Sequence, residues 1–315
     1  MAAAAAVVTE RVPITIGVID ALRRPPSVMA QQMLTLDHLS HGRMTFAIAT
    51  GEAKQFRPYG IPRDKPITRM LEAVQTWRAL WGFDGTPINR PSPFYPLDNA
   101  VFPLRPYNGR FPSLLAVGAG PKVFDLAGRL CDGWLTYLPG GLGDDYSLIA
   151  ECVQAVKKCA ADAGRDPEAL RFNAMINVAL ADTDDKAWDL VRHPVSGWIS
   201  LAAAGINSGQ SWARLGYRNP LGEDFVWSRD MDAMVVPAGE VPGLAEQVPD
   251  EVADSVFVWG SPERAAGRIQ KMLDAGINEI CFMNVGAGAD PEYSSTFSRL
   301  ASDILVRLGH PPLTL

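Results

Sequence analysis

The chain has 315 residues, of which 47% are hydrophobic and 20% charged, a composition that belongs to a folded globular protein and excludes a disordered one. Its net charge of −6, with no block of Lys or Arg, argues against a nucleic-acid partner, because phosphate binding needs a clustered basic surface. No run is apolar for long enough to span a membrane.

Met1 to Val8 is Ala-rich, with no basic flank before it, and reads as the end of a helix leading into a strand rather than a signal peptide. Val12 to Ile19 is a buried strand rich in β-branched residues. Pro25 and Pro26 open a helix from Ser27 to about His41, with Val28, Met29, Met33, Leu36 and Leu39 at helical spacing and Gly42 as its stop. Met44 to Ala49 is the next strand, followed by Thr50-Gly51-Glu52. Pro66 to Trp81 is an amphipathic helix that turns Met70, Leu71, Val74, Trp77, Leu80 and Trp81 inward. Residues 82–112 form an excursion with a small hairpin around Phe94 to Phe102. Ser113 to Val117 is a strand, Gly118-Ala119-Gly120-Pro121 turns it into a helix through Leu130, and Asp132 to Tyr137 is a strand containing Trp134.

Asp144 to Ala163 is a long helix closed by Gly164, and Leu170 to Ala181 a strand, with Asp182 or Thr183 capping the helix after it. Residues 192–255 break this rhythm as an irregular insertion. Ser255 to Trp259 is a short strand, and Ser261-Pro262-Glu263 starts a helix that runs to Ala275. Glu279 to Asn284 is the last strand and Pro291 to Leu308 the last helix.

Short apolar strands alternating with helices make a parallel sheet covered on both faces, an α/β fold over a single domain, 1–315. A (β/α)8 barrel and an open doubly wound sheet compete. No early GxGxxG is present, which favours the barrel, although about six or seven strands are countable where the barrel needs eight.

In a barrel, chemistry sits at the C-terminal ends of the strands. That puts Gly17-Val18-Ile19-Asp20, Thr50-Gly51-Glu52, Gly118-Ala119-Gly120 and Asn284-Val285-Gly286 on one rim. Small residues there let a ligand approach the backbone or simply make a tight turn. Gly118 to Gly120, ahead of a helix, suits an anion such as phosphate. Glu52 reads as a proton donor or acceptor, or as a solvated loop acid or helix cap. Cys131, Cys152, Cys159 and Cys281 show no CxxC pair and no His at metal spacing, so no metal is expected; they read as buried reduced thiols in a reducing, cytoplasmic compartment. His38 and His41 read as surface or capping residues. Trp198, Trp212 and Trp227 in the insertion either wall a lipophilic pocket or pack as core.

The stretch RRPPSVMAQQMLTLDHLSHGRMTFAIATGEAKQFRPYG resembles the luciferase-like flavin and deazaflavin oxidoreductases, through Pro26, Ala30-Gln31, Leu39-Ser40-His41-Gly42-Arg43 and Thr50-Gly51-Glu52. VGAGPKVFDLAGRLCDGW, Val117 to Trp134, and WGSPERAAGRIQKMLDAGINEICF, Trp259 to Phe282, are similar to later units of that family, so nearly the whole chain is covered. TGEA points to the branch that uses coenzyme F420, and SPFYPLDNAVFPLRPYNGRFP and GYRNPLGEDF resemble the phthiodiolone ketoreductase-like members.

The resemblance implies a luciferase-like barrel in which Gly17-Val18 is a non-proline cis peptide against the deazaflavin ring. Ile19, Thr50, Gly51 and Glu52 would line that ring, with Glu52 as the catalytic acid. Val117, Gly118, Ala119 and Gly120 would hold the cofactor phosphate, although Ala119 stands where the family has Gly. Asp20, Arg23 and Trp134 would face the substrate. The family places two βα units ahead of this chain's first strand, so the barrel is expected to lack them here, with exposed sheet edges.

The resulting expectation is hydride transfer between C5 of F420 and a carbonyl or alcohol carbon, on a small-molecule or lipid-like substrate, in a homodimer. Two alternatives stand beside it. One is an FMN-dependent monooxygenase on the same fold; the other is a cofactor-free barrel acting as a binding or subunit protein.

Overall fold

A computed structural model describes residues 1–139, 145–206, 211–231, 236–290 and 293–312. The chain divides into two compact units, the first of residues 1–51, 55–135 and 154–171, the second of residues 52–54, 136–153 and 172–315.

Along the first part of the chain run α1 (Ala2–Val8), β1 (Ile14–Asp20), α2 (Pro26–Leu39), β2 (Met44–Ala49), α3 (Pro66–Trp81), the antiparallel pair β3 (Ile88–Arg90) and β4 (Leu97–Ala100), β5 (Ser113–Val117), α4 (Pro121–Leu130), β6 (Gly133–Leu138) and α5 (Tyr146–Asp162). β1, β2, β5 and β6 lie side by side and parallel: Ile14 stands opposite Met44, Thr45 opposite Ser113, and Leu115 opposite Gly133. Met44 to Ile48 are all buried, as a strand covered on both faces requires. β1 is paired on one side only among the described residues, and its Val18 is exposed.

Arg43 sets where β1 enters this sheet. Its Nε donates to the Ser40 carbonyl at 2.6 Å. Nη1 reaches Thr9 Oγ1 at 2.9 Å and the Val12 carbonyl at 2.7 Å. Nη2 reaches the carbonyls of Ala6 at 2.8 Å and Thr9 at 2.7 Å. These five contacts match the five N–H donors of a guanidinium, and they satisfy carbonyls left open at the C-terminal ends of α1 and α2.

α2 buries Met29, Ala30, Met33, Leu34 and Asp37, whereas Val28 and Leu39 of the expected apolar face are exposed. The buried stripe includes an acid because the Asp37 carboxylate takes the Met44 N–H, while burial raises its pKa. On α3, Trp77 and Trp81 are buried and the Trp81 indole donates to the Ala30 carbonyl at 3.1 Å. Leu71 is only half-buried; its neighbour Glu72 is buried instead, taken by the Ser92 hydroxyl. α4 and α5 meet at Gly128, where a Cβ would come within 2.6 Å of the Val156 carbonyl oxygen.

The second part of the chain holds β7 (Arg171–Leu180), α6 (Asp184–Arg192), α7 (Pro194–Ala204), the short helices α8 (Ser211–Arg214), α9 (Trp227–Asp230), α10 (Val241–Ala245) and α11 (Asp250–Asp254), then β8 (Phe257–Gly260), α12 (Pro262–Asp274), β9 (Glu279–Asn284), α13 (Gly286–Ala289) and α14 (Tyr293–Arg307). β8 and β9 both run parallel to β7, and Asn177 stands opposite Phe257 on one and Met283 on the other.

The insertion carries the helical fragments α7 to α11 with irregular stretches between them, and Leu201, Trp212, Trp227, Val252 and Phe257 close its core. Trp198 packs edge-on to Trp227 with centroids 5.0 Å apart, so these tryptophans serve as core. Thr183 caps α6 as expected. Ser261 makes no side-chain cap on α12; its N–H is instead taken by Asp184 at 2.8 Å. The helix starts expected at Asp144 and Pro291 lie outside the described residues. The cysteines are free, and Cys131 is buried with its thiol pushed up to about 12 by burial, but Cys281 is exposed, contrary to expectation.

Lysine keeps the charge of Arg43 but not its fork. Arg43→Lys is expected to cost about 2 kcal/mol of stability, because several carbonyls lose their donors. A urea or thermal unfolding series checks this; an unchanged midpoint would remove Arg43 from its organising role.

Candidate functional site

Because β1, β2, β5 and β6 are parallel and in register, their C-terminal ends gather the small-residue clusters of the first unit on one edge. Asp20 stands opposite Ala49, Ile48 opposite Ala116, and Val117 opposite Leu135. One residue further along each strand therefore lie Thr50 and Gly118. The Gly17–Val18 peptide is cis, in the isomer that the resemblance implies, and the register of β1 shifts between Ile16 and Ile19.

Thr50 and Gly51 are held by a residue that sequence reasoning passed over. Arg63 donates from Nη2 to the Gly51 carbonyl at 2.7 Å and from Nε at 3.1 Å, and reaches Thr50 Oγ1 at 3.2 Å. The only sequence signal for it is a cation in a Pro- and Gly-rich loop, which spacing cannot link to Gly51. Gly51 has φ of +69°, and a Cβ there would stand 2.4 Å from Phe56. The turn therefore needs glycine both for its backbone and for space.

Asp20 and Arg23 engage each other. Asp20 Oδ1 accepts the N–H groups of Leu22 at 3.2 Å and Arg23 at 2.8 Å, and Oδ2 pairs with Arg23 Nε at 2.7 Å. The Asp20 side chain is only 7% exposed, so it acts first as the lock of the loop after β1. Trp134 is fully buried against Phe124 of α4, with centroids 5.6 Å apart, and its indole donates to the Gly118 carbonyl at 2.6 Å. It supports the Gly118 turn from behind rather than presenting a face to a ligand.

Gly118 and Gly120 have φ of +128° and +107°, and Gly120 is the N-cap residue of α4. A Cβ at Gly120 would meet nothing within 4 Å, and Ala119 is exposed. The start of α4 is thus open to an approaching group, with the helix dipole favouring an anion. These features fit a cofactor phosphate: a Cβ at Gly120 would meet open space, and Ala119 beside it is exposed.

In the second unit Glu52 pairs with Lys54 at 2.6 Å, and the Lys54 ammonium lies 5.6 Å from the centroid of the Trp227 ring. The same unit holds a polar contact that the sequence did not suggest: Asn177, fully buried on β7, donates to the Tyr137 hydroxyl. Burial drives the Tyr137 pKa well above its ordinary value, only partly offset by Asn177, so the phenol stays protonated. Among the described residues no group of His, Cys, Asp and Glu could hold a metal ion, and no helix is long and apolar enough to cross a membrane.

Parallel strands with helices between them, and glycine turns at their C-terminal ends, define an α/β protein of the barrel type. The chain belongs to the luciferase-like monooxygenase family, whose model matches residues 1–279. It is 32% identical over 299 residues to a phthiodiolone/phenolphthiodiolone dimycocerosates ketoreductase of Mycobacterium tuberculosis, covering 95% of this chain and 76% of that one. An F420-dependent secondary alcohol dehydrogenase, solved with an F420-acetone adduct, superposes with a TM-score of 0.68 at 23% identity, covering 96% of this chain and 82% of that one. The F420-dependent tetrahydromethanopterin reductase of Methanopyrus kandleri gives a TM-score of 0.71 at 17% identity, over 95% of this chain and 86% of that one. The two structures establish the fold, an α/β barrel of the luciferase-like type.

Gly51→Ala forces both a disfavoured φ and a collision with Phe56, and is expected to cost about 1–3 kcal/mol. Arg63→Ala is expected to loosen the same turn without that collision. Thermal unfolding by circular dichroism compares the two; equal stability of Gly51→Ala and the parent would show that the turn relaxes freely.

Proposed function

We propose that the protein is an F420-dependent oxidoreductase that interconverts a carbonyl and an alcohol on a lipophilic small molecule. Its family makes it an oxidoreductase. The observation that carries the choice of reaction is the ketoreductase relative, matched along almost the whole chain. The F420-dependent dehydrogenase that shares the fold supports the choice of cofactor. When bound, F420 supplies the hydride chemistry at C5.

The chain's own residues bind, orient and move a proton. Gly118, Ala119 and Gly120, following Val117, offer backbone N–H groups to the cofactor phosphate at the start of α4. Gly17, Val18, Ile19, Thr50 and Gly51 would hold the ring, and Arg63 fixes the Thr50–Gly51 turn. Glu52, next in the chain, is the acid that gives or takes the proton at the substrate oxygen, with Lys54 beside it as counter-charge. Asp20 and Arg23 close the loop after β1 at the substrate's edge, and Trp134 backs the phosphate turn. A homodimer in the cytoplasm is the setting this reading carries over from the resemblance and the free thiols.

The test is a fluorescence titration with F420, run in parallel with FMN because the family includes monooxygenases. Saturable quenching by F420 alone is expected. Tight binding of FMN with oxygen uptake would replace this reading by a monooxygenase, and no binding of either would favour a cofactor-free role. Glu52→Gln is expected to lower turnover about 100-fold while leaving F420 affinity nearly unchanged; unchanged turnover would take the proton away from Glu52.

A further inference from the structure

On the second unit, an open groove of about 580 Å³ is lined by Tyr146 of α5, Asp254 of α11, and Arg264, Gly267, Arg268 and Lys271 of α12. The three cations recur at helical spacing and so share one face of α12. Like charges at this spacing repel, and an anion seated among them would relieve that repulsion.

Two of the cations are held in place. The Arg264 guanidinium lies 3.9 Å from the centroid of the Trp259 ring and pairs with Asp184 at 3.9 Å. Stacking fixes the plane of the fork while half of the side chain remains exposed. Arg268 is tied to the Phe257 carbonyl at 2.6 Å and the Asp254 carbonyl at 2.9 Å. Lys271 lies 5.9 Å from the centroid of Tyr146 on the far wall. The one carboxylate in the lining, Asp254, accepts the Trp259 indole N–H at 2.6 Å and sits 3.7 Å from Arg268. Asp184 thus partners Arg264 from beyond the lining and Asp254 partners Arg268, so the three cations outnumber these two carboxylates by one charge, carried by Lys271.

Gly267 is the second observation. It sits inside α12, where glycine is the worst ordinary residue for a helix, yet a Cβ there would meet nothing within 4 Å. Packing therefore does not ask for glycine. Its absence of side chain leaves a bare floor at the centre of the cations.

We infer that this groove binds a phosphoryl group: Arg264 and Lys271 supply charge-assisted contacts, Arg268 provides a fixed positive rim, and Gly267 the open floor. A phosphoryl group offers three peripheral oxygens and up to two negative charges, which suits a pre-set fork and an ammonium better than a single carboxylate does. The phosphoryl group belongs either to a soluble compound or to a phospholipid headgroup. The site is separate from the residues assigned to redox chemistry and stands whether or not that assignment holds.

Two probes decide the source. Inorganic phosphate is titrated calorimetrically, and co-sedimentation compares vesicles of phosphatidylglycerol and phosphatidylcholine with vesicles of phosphatidylcholine alone. Saturable phosphate binding without vesicle binding assigns a soluble ligand; binding only to the anionic vesicles assigns a headgroup. In either case Arg264→Ala with Lys271→Ala is expected to weaken binding about tenfold or more. Gly267→Ala separates function from folding: it is expected to raise the melting temperature while weakening the same binding. Binding to neither probe, or equal binding by the double variant with unchanged circular dichroism, overturns the site. Gly267→Ala that binds as the parent does removes the floor from it.

Discussion

The guanidinium of Arg43 is the contact on which the first unit is assembled. Helix ends leave carbonyls without partners, and a strand that begins beside two such ends must be fixed against them before it can pair. Arg43 reaches the last turn of α1, the lead into β1 and the end of α2 at once. The start of β1 is thereby laid against β2, and the pairings of β2 with β5 and of β5 with β6 carry the alignment across the sheet. The gathering of Asp20, Thr50 and Gly118 on one edge is a consequence. The LS-x-GR turn is thus a mark of scaffold rather than of chemistry: it identifies the family because it builds the sheet that the chemistry uses.

Much of this was legible from residue patterns. Strand and helix alternation, the stops at Gly42 and Gly164, and the glycine turn before α4 all follow from local physics that tertiary contacts do not override. The α2 face was less legible because one of its buried positions is an acid, Asp37, whose cost is offset by a main-chain donor invisible to periodicity. Trp134 was misplaced for a related reason. In a strand covered on both sides, apolar residues point both ways, and the pattern does not say which neighbour receives the ring. Arg63 and the Asn177–Tyr137 contact carry no local signal, since each joins residues that only the fold brings together. The insertion breaks the rhythm because its helices are short and interrupted by Gly and Pro.

The two charged constellations of the second unit differ in kind. Glu52 carries its own counter-ion, and Lys54 is in turn placed over an aromatic ring, so the acid sits in a locally neutral, preset environment. The α12 groove differs: Asp184 and Asp254 partner Arg264 and Arg268, and Lys271 adds a third cation to the same helix face. A protein of net negative charge that concentrates cations on one helix face spends helix stability there, and a bare glycine amid them adds to that cost.

β1 carries main-chain donors and acceptors along a side that no described strand covers, and Val18 on it is open to solvent. Such a border is adhesive. A ligand seated against Gly17 and Val18 would stand beside that border, so its arrival would change how the border meets water as well as how the site works.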